Sequence, residues 1–191
     1  GITAENFYER LCMIHNLKLE NRSSYEYDTG CFDARGNRIY KLEPTVYILD
    51  SLAMLMPEKF TEEEELSGSM SSTASAKVNS MTFKRIIPML KSANIILLII
   101  NHINQKIDIN PMQRTKSQVS YLKPGEALPG GNTAIYVANL LIRFDDNSKL
   151  KPDEAFGIAG NLVDLGLVKS RNNRAGKTCT LVFNQDRGFD P

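Results

Sequence analysis

The stretch ANIILLIINH, residues 93–102, contains six consecutive large aliphatic residues bounded by polar ones. A short apolar run of this kind is typical of a strand that is covered on both faces, as in a parallel sheet. A second β-rich run, TVYILDS at residues 45–51, comes earlier and ends in Asp50. Residues 75–91, between the two runs, predict a helix with Pro88 near its end. The chain is therefore predicted to have an α/β fold that includes parallel strands.

The segments before the first run are more polar. Residues 3–15 predict an amphipathic helix, because their apolar side chains recur at helical spacing. Residues 16–45 are rich in turn-forming residues, with a weak strand near residues 24–27 and a turn at residues 34–37. This part of the chain is expected to contribute one helix and little regular sheet.

The C-terminal part predicts a short helix that runs into a strand, NTAIYVANLLIRF, followed by two more strands at about residues 162–170 and 178–184. The last two strands flank a basic turn and predict a hairpin. We therefore predict one domain over residues 1–191, an α/β fold with a mixed, largely parallel central sheet that ends in an antiparallel hairpin.

Composition argues against several classes of protein. The 191 residues carry a formal net charge of +1 and three cysteines without a C-x-x-C pair, so neither a disulfide framework nor a zinc site is predicted. This cysteine usage favours a reducing setting, and we expect a cytoplasmic protein. The longest apolar run, Ile95–Ile100, is too short to span a bilayer, so no membrane partner is expected.

The letters A-G-K-T in RNNRAGKTCT, residues 171–180, suggest a phosphate-binding loop. That loop has the pattern G-x-x-x-x-G-K-[ST], because its first glycine opens a turn whose N–H groups surround the phosphates. Arg171 stands where the first glycine would be. The loop also needs a helix after it, whereas TCTLVF predicts a strand. We interpret Gly176-Lys177-Thr178 as a hairpin turn.

Polar residues follow both predicted parallel strands. Asp50 ends the first strand and could hold magnesium beside phosphates, although many buried strands end in an aspartate that only caps a turn. Asn101 and His102 end the second strand, at the edge where α/β sheets bind ligands, although a single histidine there is often structural. The long polar segment at residues 103–131 is either functional or only solvated.

Four segments occur in one order: YILDSLAMLMP, ILLIINHINQKI, GGNTAIYVANLLIRF and LGLVKSRN…TLVFNQDRGFD. Together they resemble the ATPase core of RecA-type recombinases, most of all the phage UvsX-like branch. The resemblance covers residues 45–191, and residues 1–16 are similar to the helix that follows the catalytic glutamate of that family. It implies a RecA-like ATPase core that uses ATP and Mg²⁺.

The resemblance also implies roles for residues of the nucleotide site. Asp50 takes the position of the Walker B aspartate, which holds Mg²⁺ through water, with Ser51 and Asn101 beside the nucleotide. His102 takes the position of the γ-phosphate sensor. Lys169 and Arg171 take the positions of two basic residues that reach the ATP of a neighbouring subunit, so His102, Lys169 and Arg171 are the implied catalytic residues.

Two DNA-binding loops are implied as well, at about residues 61–79 and 104–132. The second loop would contact phosphates through basic side chains and through a glycine-rich end, and such contacts position DNA without reading its sequence. The implied DNA-binding residues are Lys106, Arg114, Lys116, Lys123, Gly130, Gly131 and Asn132. The implied partners are single-stranded DNA, double-stranded DNA and further copies of the protein in a filament or ring.

One feature of the family pattern is missing. The motif G-x-x-x-x-G-K-[ST] does not occur in this sequence, and the catalytic glutamate of the family would lie before Gly1. We therefore expect a piece of a longer recombinase that does not hydrolyse ATP alone. The leading hypothesis is ATP-dependent homologous strand exchange. The alternatives are a replicative-helicase core with Arg171 or Arg174 as arginine finger, and a non-catalytic DNA-binding recombination mediator.

Overall fold

The computed structural model is mixed α/β, as the sequence predicts. Its described residues are 2–58, 68–105, 122–150 and 160–189. The chain divides into two compact units, Gly1–Ala134 and Ile135–Pro191, and each unit is described by itself. Within the described residues, no helix is long and apolar enough to cross a membrane.

In the first unit, the described residues form helices and three two-stranded sheets. Its elements in chain order are α1 (Ala4–Glu20), α2 (Arg22–Tyr25), β1 (Glu26–Phe32), β2 (Arg38–Leu42), β3 (Thr45–Asp50), a 3-10 turn (Leu52–Met54), α3 (Gly68–Ser92), β4 (Ile95–Ile100), β5 (Asn104–Gln105) and β6 (Glu126–Ala127). Strands β1 and β2 pair antiparallel, β3 and β4 pair parallel, and β5 and β6 pair antiparallel. Helix α4 (Thr133–Val137) contains the boundary to the second unit.

Helix α1 is longer than its amphipathic pattern predicts. It begins after Thr3, whose hydroxyl accepts a hydrogen bond from the N–H of Asn6 at 3.1 Å, as in a standard N-cap. Phe7 and Leu11 are fully buried one turn apart. The helix continues to Glu20. Near the end of the helix the Lys18 side chain is buried. A buried ammonium group needs hydrogen-bond acceptors, and these come from a distant part of the chain.

Lys18 supplies that long-range contact. Its ammonium group donates hydrogen bonds to the carbonyl oxygen of Glu43 at 2.5 Å and to Oγ1 of Thr45 at 2.8 Å. The side chain is only 2% exposed. Burial lowers the pKa of Lys18, and the nearby Glu43 opposes that effect. The last turns of α1 are therefore tied to the chain just before β3.

The buried Lys18 predicts a pH-dependent stability. Because its pKa is lower in the folded protein than the ordinary 10.5, the unfolded chain binds more protons between these two values. The free energy of unfolding should therefore rise as the pH increases through that window. In Lys18→Met the rise should be smaller, whereas replacing the exposed Lys41 by methionine should leave it unchanged. Urea unfolding at several pH values tests this, and equal slopes in all three proteins would refute it.

The hairpin of β1 and β2 was only partly predicted. A turn at residues 34–37 is confirmed, and the carboxylate of Asp33 organises it by accepting from the N–H groups of Arg35 and Asn37 at 2.8 and 2.9 Å. These bonds, those from Asn37 first, lower the pKa of Asp33. Of the weak strand expected at residues 24–27, residues 24 and 25 belong to α2 instead, and β1 begins at Glu26. Strands β1 and β2 extend well beyond residue 27, because cross-strand pairing stabilises sequences of low strand propensity.

Strands β3 and β4 form the predicted parallel pair, in register from Thr45 opposite Ile95 to Asp50 opposite Ile100. Helix α1 lies against one face, where the rings of Phe7 and Tyr47 have centroids 5.8 Å apart. The opposite face carries exposed aliphatic side chains, namely Val46, Ile48, Ile96, Leu98 and Ile100. The expectation that both faces of this strand pair are covered is therefore wrong for the described residues.

Helix α3 begins at Gly68, earlier than the residue 75 that the sequence predicts, and it includes Pro88. Asn79, Phe83 and Ile86 are buried at helical spacing, so they mark the inner face of the helix. A polar amide thus lies on a face that is otherwise apolar.

The second unit is an antiparallel sheet. Its strands are β7 (Leu140–Leu150), β8 (Gly160–Ser170), β9 (Lys177–Asn184) and β10 (Gly188–Phe189), in the order β10-β9-β8-β7. The predicted helix-to-strand segment and the final hairpin are confirmed. The sequence predicts a single mixed sheet. The described strands instead form separate parallel and antiparallel sheets, so this prediction is wrong for them. β7 pairs with β8 from Leu140 opposite Ser170 to Leu150 opposite Gly160, with two shifts of register along the way.

Candidate functional site

The carboxyl ends of β3 and β4 bring four of the predicted site residues to one edge. Because Asp50 pairs with Ile100, the dipeptides Asp50-Ser51 and Asn101-His102 leave the two strands side by side. The side chains of Asp50 and His102 are exposed, and Ser51 is buried. The peptide bond between Asp50 and Ser51 is cis. This edge offers a carboxylate and an imidazole to a ligand.

Asn101 already has an intramolecular partner. Its Nδ2 donates a hydrogen bond to the carbonyl oxygen of Pro129 at 3.1 Å. Its Oδ1 is buried and has no hydrogen-bond partner among the described residues. The amide therefore anchors the end of the long loop, and a contact to nucleotide stays a prediction.

The double glycine after the long loop is packed against the same edge. Gly130 and Gly131 both have positive φ angles, 81° and 85°. A Cβ atom on Gly130 would lie 2.9 Å from Cγ of Leu52, and one on Gly131 would lie 3.1 Å from Cβ of Ala76. Glycine is required here because the backbone approaches the 3-10 turn and α3 closely. Contact of these glycines with DNA stays a prediction.

Asn79 is a residue that sequence reasoning missed. Its side chain is 2% exposed, and its Nδ2 donates to the carbonyl oxygen of Gly130 at 3.3 Å. The signal that could have identified it is an asparagine on the apolar face of a helix, since buried amides need hydrogen-bond partners. The distance in sequence, residue 79 to residue 130, hides the identity of that partner.

The base of the long loop is closed by a short ladder. Asn104 pairs with Ala127 and Gln105 pairs with Glu126. In the adjoining turn, the N–H of Lys123 donates to Oε2 of Glu126 at 2.7 Å, and the Lys123 side chain is exposed. This lysine therefore lies at the surface next to a loop that is anchored at its base.

The structure describes only some of the implied DNA-binding residues. Lys106, Arg114 and Lys116 lie outside the described residues, as do residues 61–67 of the first implied loop. Residues 68–79 of that implied loop belong to α3. Asn132 is half-buried immediately before α4.

Lys169 and Arg171, the two predicted catalytic cations, both reach the end of α4. Lys169 Nζ donates to the carbonyl oxygens of Ile135 and Tyr136 at 2.6 and 2.8 Å. Arg171 Nη2 donates to the carbonyl oxygen of Tyr136 at 3.0 Å. Burial and then the nearby Arg171 lower the pKa of Lys169. The sequence did not predict that these cations satisfy carbonyl groups at the C-terminus of a helix.

The A-G-K-T letters lie in a hairpin, as predicted, but the turn ends at Gly176, and the expectation that Lys177 and Thr178 also belong to the turn is wrong. The N–H of Gly176 donates to the carbonyl oxygen of Leu167 at 2.7 Å. Lys177 and Thr178 belong to β9 and pair with Leu167 and Gly166 of β8. A strand therefore stands where a phosphate-binding loop needs a helix, and this part of the chain does not form such a loop.

Comparisons with known proteins add no assignment: no protein-family model matches the chain, and no curated protein matches it. Within the described residues, no group of three or more histidine, cysteine, aspartate or glutamate side chains could hold a metal ion. The geometry of the strand ends defines the candidate site. It consists of the edge of β3 and β4, with Asp50, Asn101 and His102, and of the adjoining end of the long loop.

Proposed function

We propose that the chain is the part of a RecA-type ATPase core that follows the phosphate-binding loop, and that it serves ATP-dependent strand exchange on single-stranded DNA. The observation that carries the proposal is one juxtaposition. Asp50 and His102 leave the ends of adjacent parallel strands, and the end of the long loop is hydrogen-bonded to the asparagine between β4 and His102. The edge that is proposed to hold the nucleotide and the loop that carries basic residues are therefore both attached to the end of β4.

The nucleotide side of this proposal depends on donor chemistry. The exposed Asp50 carboxylate is the hard oxygen ligand that Mg²⁺ prefers, and one carboxylate together with waters and phosphates is sufficient for that ion. The exposed His102 imidazole has N–H donors for a phosphate oxygen. ATP with Mg²⁺, when bound, would supply the phosphoryl group, and Asp50 and His102 would orient it. The phosphate cradle itself would come from outside this sequence.

The cations of the second unit fit a role toward a neighbouring subunit. Arg171 is exposed and is oriented by its contact with Tyr136, and Lys169 lies two residues earlier on the same strand. A guanidinium group is well suited to stabilise charge on a transferring phosphoryl group. In this proposal the carbonyl groups of α4 hold the two cations in position until a neighbour's nucleotide approaches.

A second candidate function is a DNA-binding recombination mediator without ATP turnover. Both candidates require binding of single-stranded DNA through the long loop, and they differ in whether ATP is hydrolysed.

For the helicase-type ring, the other alternative, Arg174 is the further arginine that could act as arginine finger. It is exposed in the hairpin turn.

Salt dependence tests the DNA-binding loop. Each phosphate contact contributes about 0.7 to the slope of log affinity against log salt for single strands. Replacing Arg114 and Lys116 by alanine should therefore reduce the slope by about 1.4 and weaken oligonucleotides of different sequence equally. Fluorescence anisotropy with labelled oligonucleotides measures both quantities.

The matched control removes the same charge from a different surface. Lys84 and Lys91 are exposed on α3 outside both implied DNA-binding loops, and their replacement by alanine should leave the slope unchanged. If the control pair reduces the slope and the loop pair does not, the DNA path runs along α3 and the loop assignment is wrong.

A further inference from the structure

The hairpin of β1 and β2 exposes large aromatic side chains. Phe32 is 60% exposed and Tyr40 is 51% exposed, although folding usually buries most of an aromatic ring. Phe32 pairs with Arg38 across the hairpin, and Arg38 lies two residues before Tyr40 on β2. Because paired residues, and residues two apart on a strand, point to the same side, the three side chains share one face. We call this face, with Phe32, Arg38 and Tyr40, the aromatic face.

Arg38 is oriented on the aromatic face by two contacts. Its guanidinium carbon lies 5.9 Å from the centroid of the Phe32 ring, and its Nη1 donates a hydrogen bond to Oδ2 of Asp28. A guanidinium group has five N–H donors, so the ion pair leaves donors of Arg38 available to a ligand. The two contacts therefore fix the position of the cation beside the ring without using all of its hydrogen-bonding capacity.

The carboxylate groups of the hairpin already have partners. Glu26 and Asp28 form ion pairs with arginines, and Asp33 accepts the hydrogen bonds that organise the turn. Residues 35–41 contain three cations and no acidic residue. Arg35 is exposed in the turn and has no ion pair within the part of the chain that the structure describes. The hairpin thus combines exposed rings with N–H donors that can meet an anion.

We propose that the aromatic face binds single-stranded nucleic acid, with bases stacked on Phe32 and Tyr40 and with phosphates contacted by Arg35 and Arg38. Exposed aromatic rings together with cations bind single strands without reading their sequence, because every base has a flat ring face. This site is separate from the long loop. It extends the proposed binding of single-stranded DNA and does not depend on the assignment of the loop residues.

The role of the ring is tested by variants at Tyr40. Tyr40→Leu keeps an apolar side chain and removes the ring, so it should weaken binding of a 20-nucleotide thymidine oligomer by on the order of tenfold. The loss should be the same at every salt concentration, because stacking releases no counterions. Tyr40→Phe keeps the ring and should bind like the unmodified chain. Tyr27→Leu is the matched control, since Tyr27 pairs with Lys41 on the opposite face of the hairpin, and its affinity should not change.

An abasic oligomer of the same length separates stacking from charge. It carries the phosphates without the bases, so Tyr40→Leu should leave its affinity unchanged. Arg35→Ala should weaken both oligomers and reduce the slope of log affinity against log salt by about 0.7, the contribution of one phosphate contact. Fluorescence anisotropy with labelled oligomers measures these quantities. Equal losses of affinity for both oligomers in Tyr40→Leu would overturn the stacking.

The outcomes separate this site from the long loop. If Arg114→Ala with Lys116→Ala binds the thymidine oligomer normally and Tyr40→Leu does not, the loop assignment fails and the aromatic face stands. Equal affinities of Tyr40→Leu and Tyr27→Leu would overturn the aromatic face and leave the loop assignment intact. If Tyr40→Leu does not fold by circular dichroism, Phe32→Leu carries the same test.

Sedimentation of the same variants checks for a different occupant. Loss of self-association in Tyr40→Leu, with unchanged affinity for the thymidine oligomer, would place the aromatic face in an interface between copies and overturn the proposal. An unmodified chain that does not bind the oligomer would refute both the aromatic face and the loop.

Discussion

We expect Arg171→Ala to lower DNA-dependent ATP turnover by on the order of a hundredfold or more, measured in a polypeptide that joins this chain to a phosphate-binding loop. The guanidinium group is expected to stabilise charge on the phosphoryl group of a neighbouring subunit, and alanine removes that charge entirely. The strand itself should remain, because the N–H of Arg171 still donates to the carbonyl oxygen of Asn139.

The fold should tolerate this change. Arg171 is exposed, and Lys169 continues to satisfy the Tyr136 carbonyl group, so stability should change by only about 0.5 kcal/mol. Lys177→Ala is the control, since Lys177 is an exposed residue at the start of β9 and its loss should leave turnover unchanged. The opposite pattern, with Lys177→Ala inactive and Arg171→Ala fully active, would refute the role of Arg171.

Mixing subunits shows whether Arg171 acts across an interface. Subunits with Arg171→Ala retain the Asp50 site, and subunits with Asp50→Ala retain the arginine. Where the two variants meet, one supplies the magnesium site and the other supplies the guanidinium group, so mixed samples should regain part of the turnover. No recovery at any mixing ratio would place Arg171 in its own subunit's site.

The largest effect on stability is expected for Gly160→Ala. Gly160 is buried at the start of β8, opposite Asn184 of β9, and a Cβ atom there would overlap the carbonyl oxygen of Phe183. The obstacle is backbone, which cannot rotate away as a flexible side chain can, so the two strands have to separate locally. We expect destabilisation of the second unit by about 3 kcal/mol or more, the upper range for overpacking.

Gly166→Ala is the matched control on the same strand. The nearest side-chain atoms to a Cβ at Gly166 are 3.9 Å away, at Thr178 and Val168, which is ordinary contact. Alanine there should be neutral or stabilising by about 0.5 kcal/mol, because glycine in a strand has excess freedom in the unfolded chain. The urea midpoint of unfolding of the second unit, monitored by hydrogen exchange of residues 160–189, compares the two variants. Equal midpoints would show that β8 and β9 are not packed as closely as the structure has them.

Local pattern was sufficient for part of the fold. The aliphatic runs of β3 and β4 predicted a parallel pair, and the β-branched residues after Gly176 predicted a strand in place of a phosphate-binding loop. The same pattern predicted that Asp50 and His102 follow the ends of these two strands, and the pairing of β3 with β4 brings them to one edge. These predictions succeed because the periodicity of apolar residues and the preference of certain residues for turns depend only on residues that are close in sequence.

The partners of buried and charged groups required the tertiary structure. The sequence by itself determined the mixed α/β class, the polar ends of two strands at Asp50 and His102, and the C-terminal hairpin. Only the tertiary structure decided that Lys18 extends α1, that Asn79 holds Gly130, and that Lys169 caps α4. Each of these contacts joins residues at least 25 positions apart in the sequence. At such separations the partner is selected by how whole helices and strands pack, and local periodicity carries no information about it.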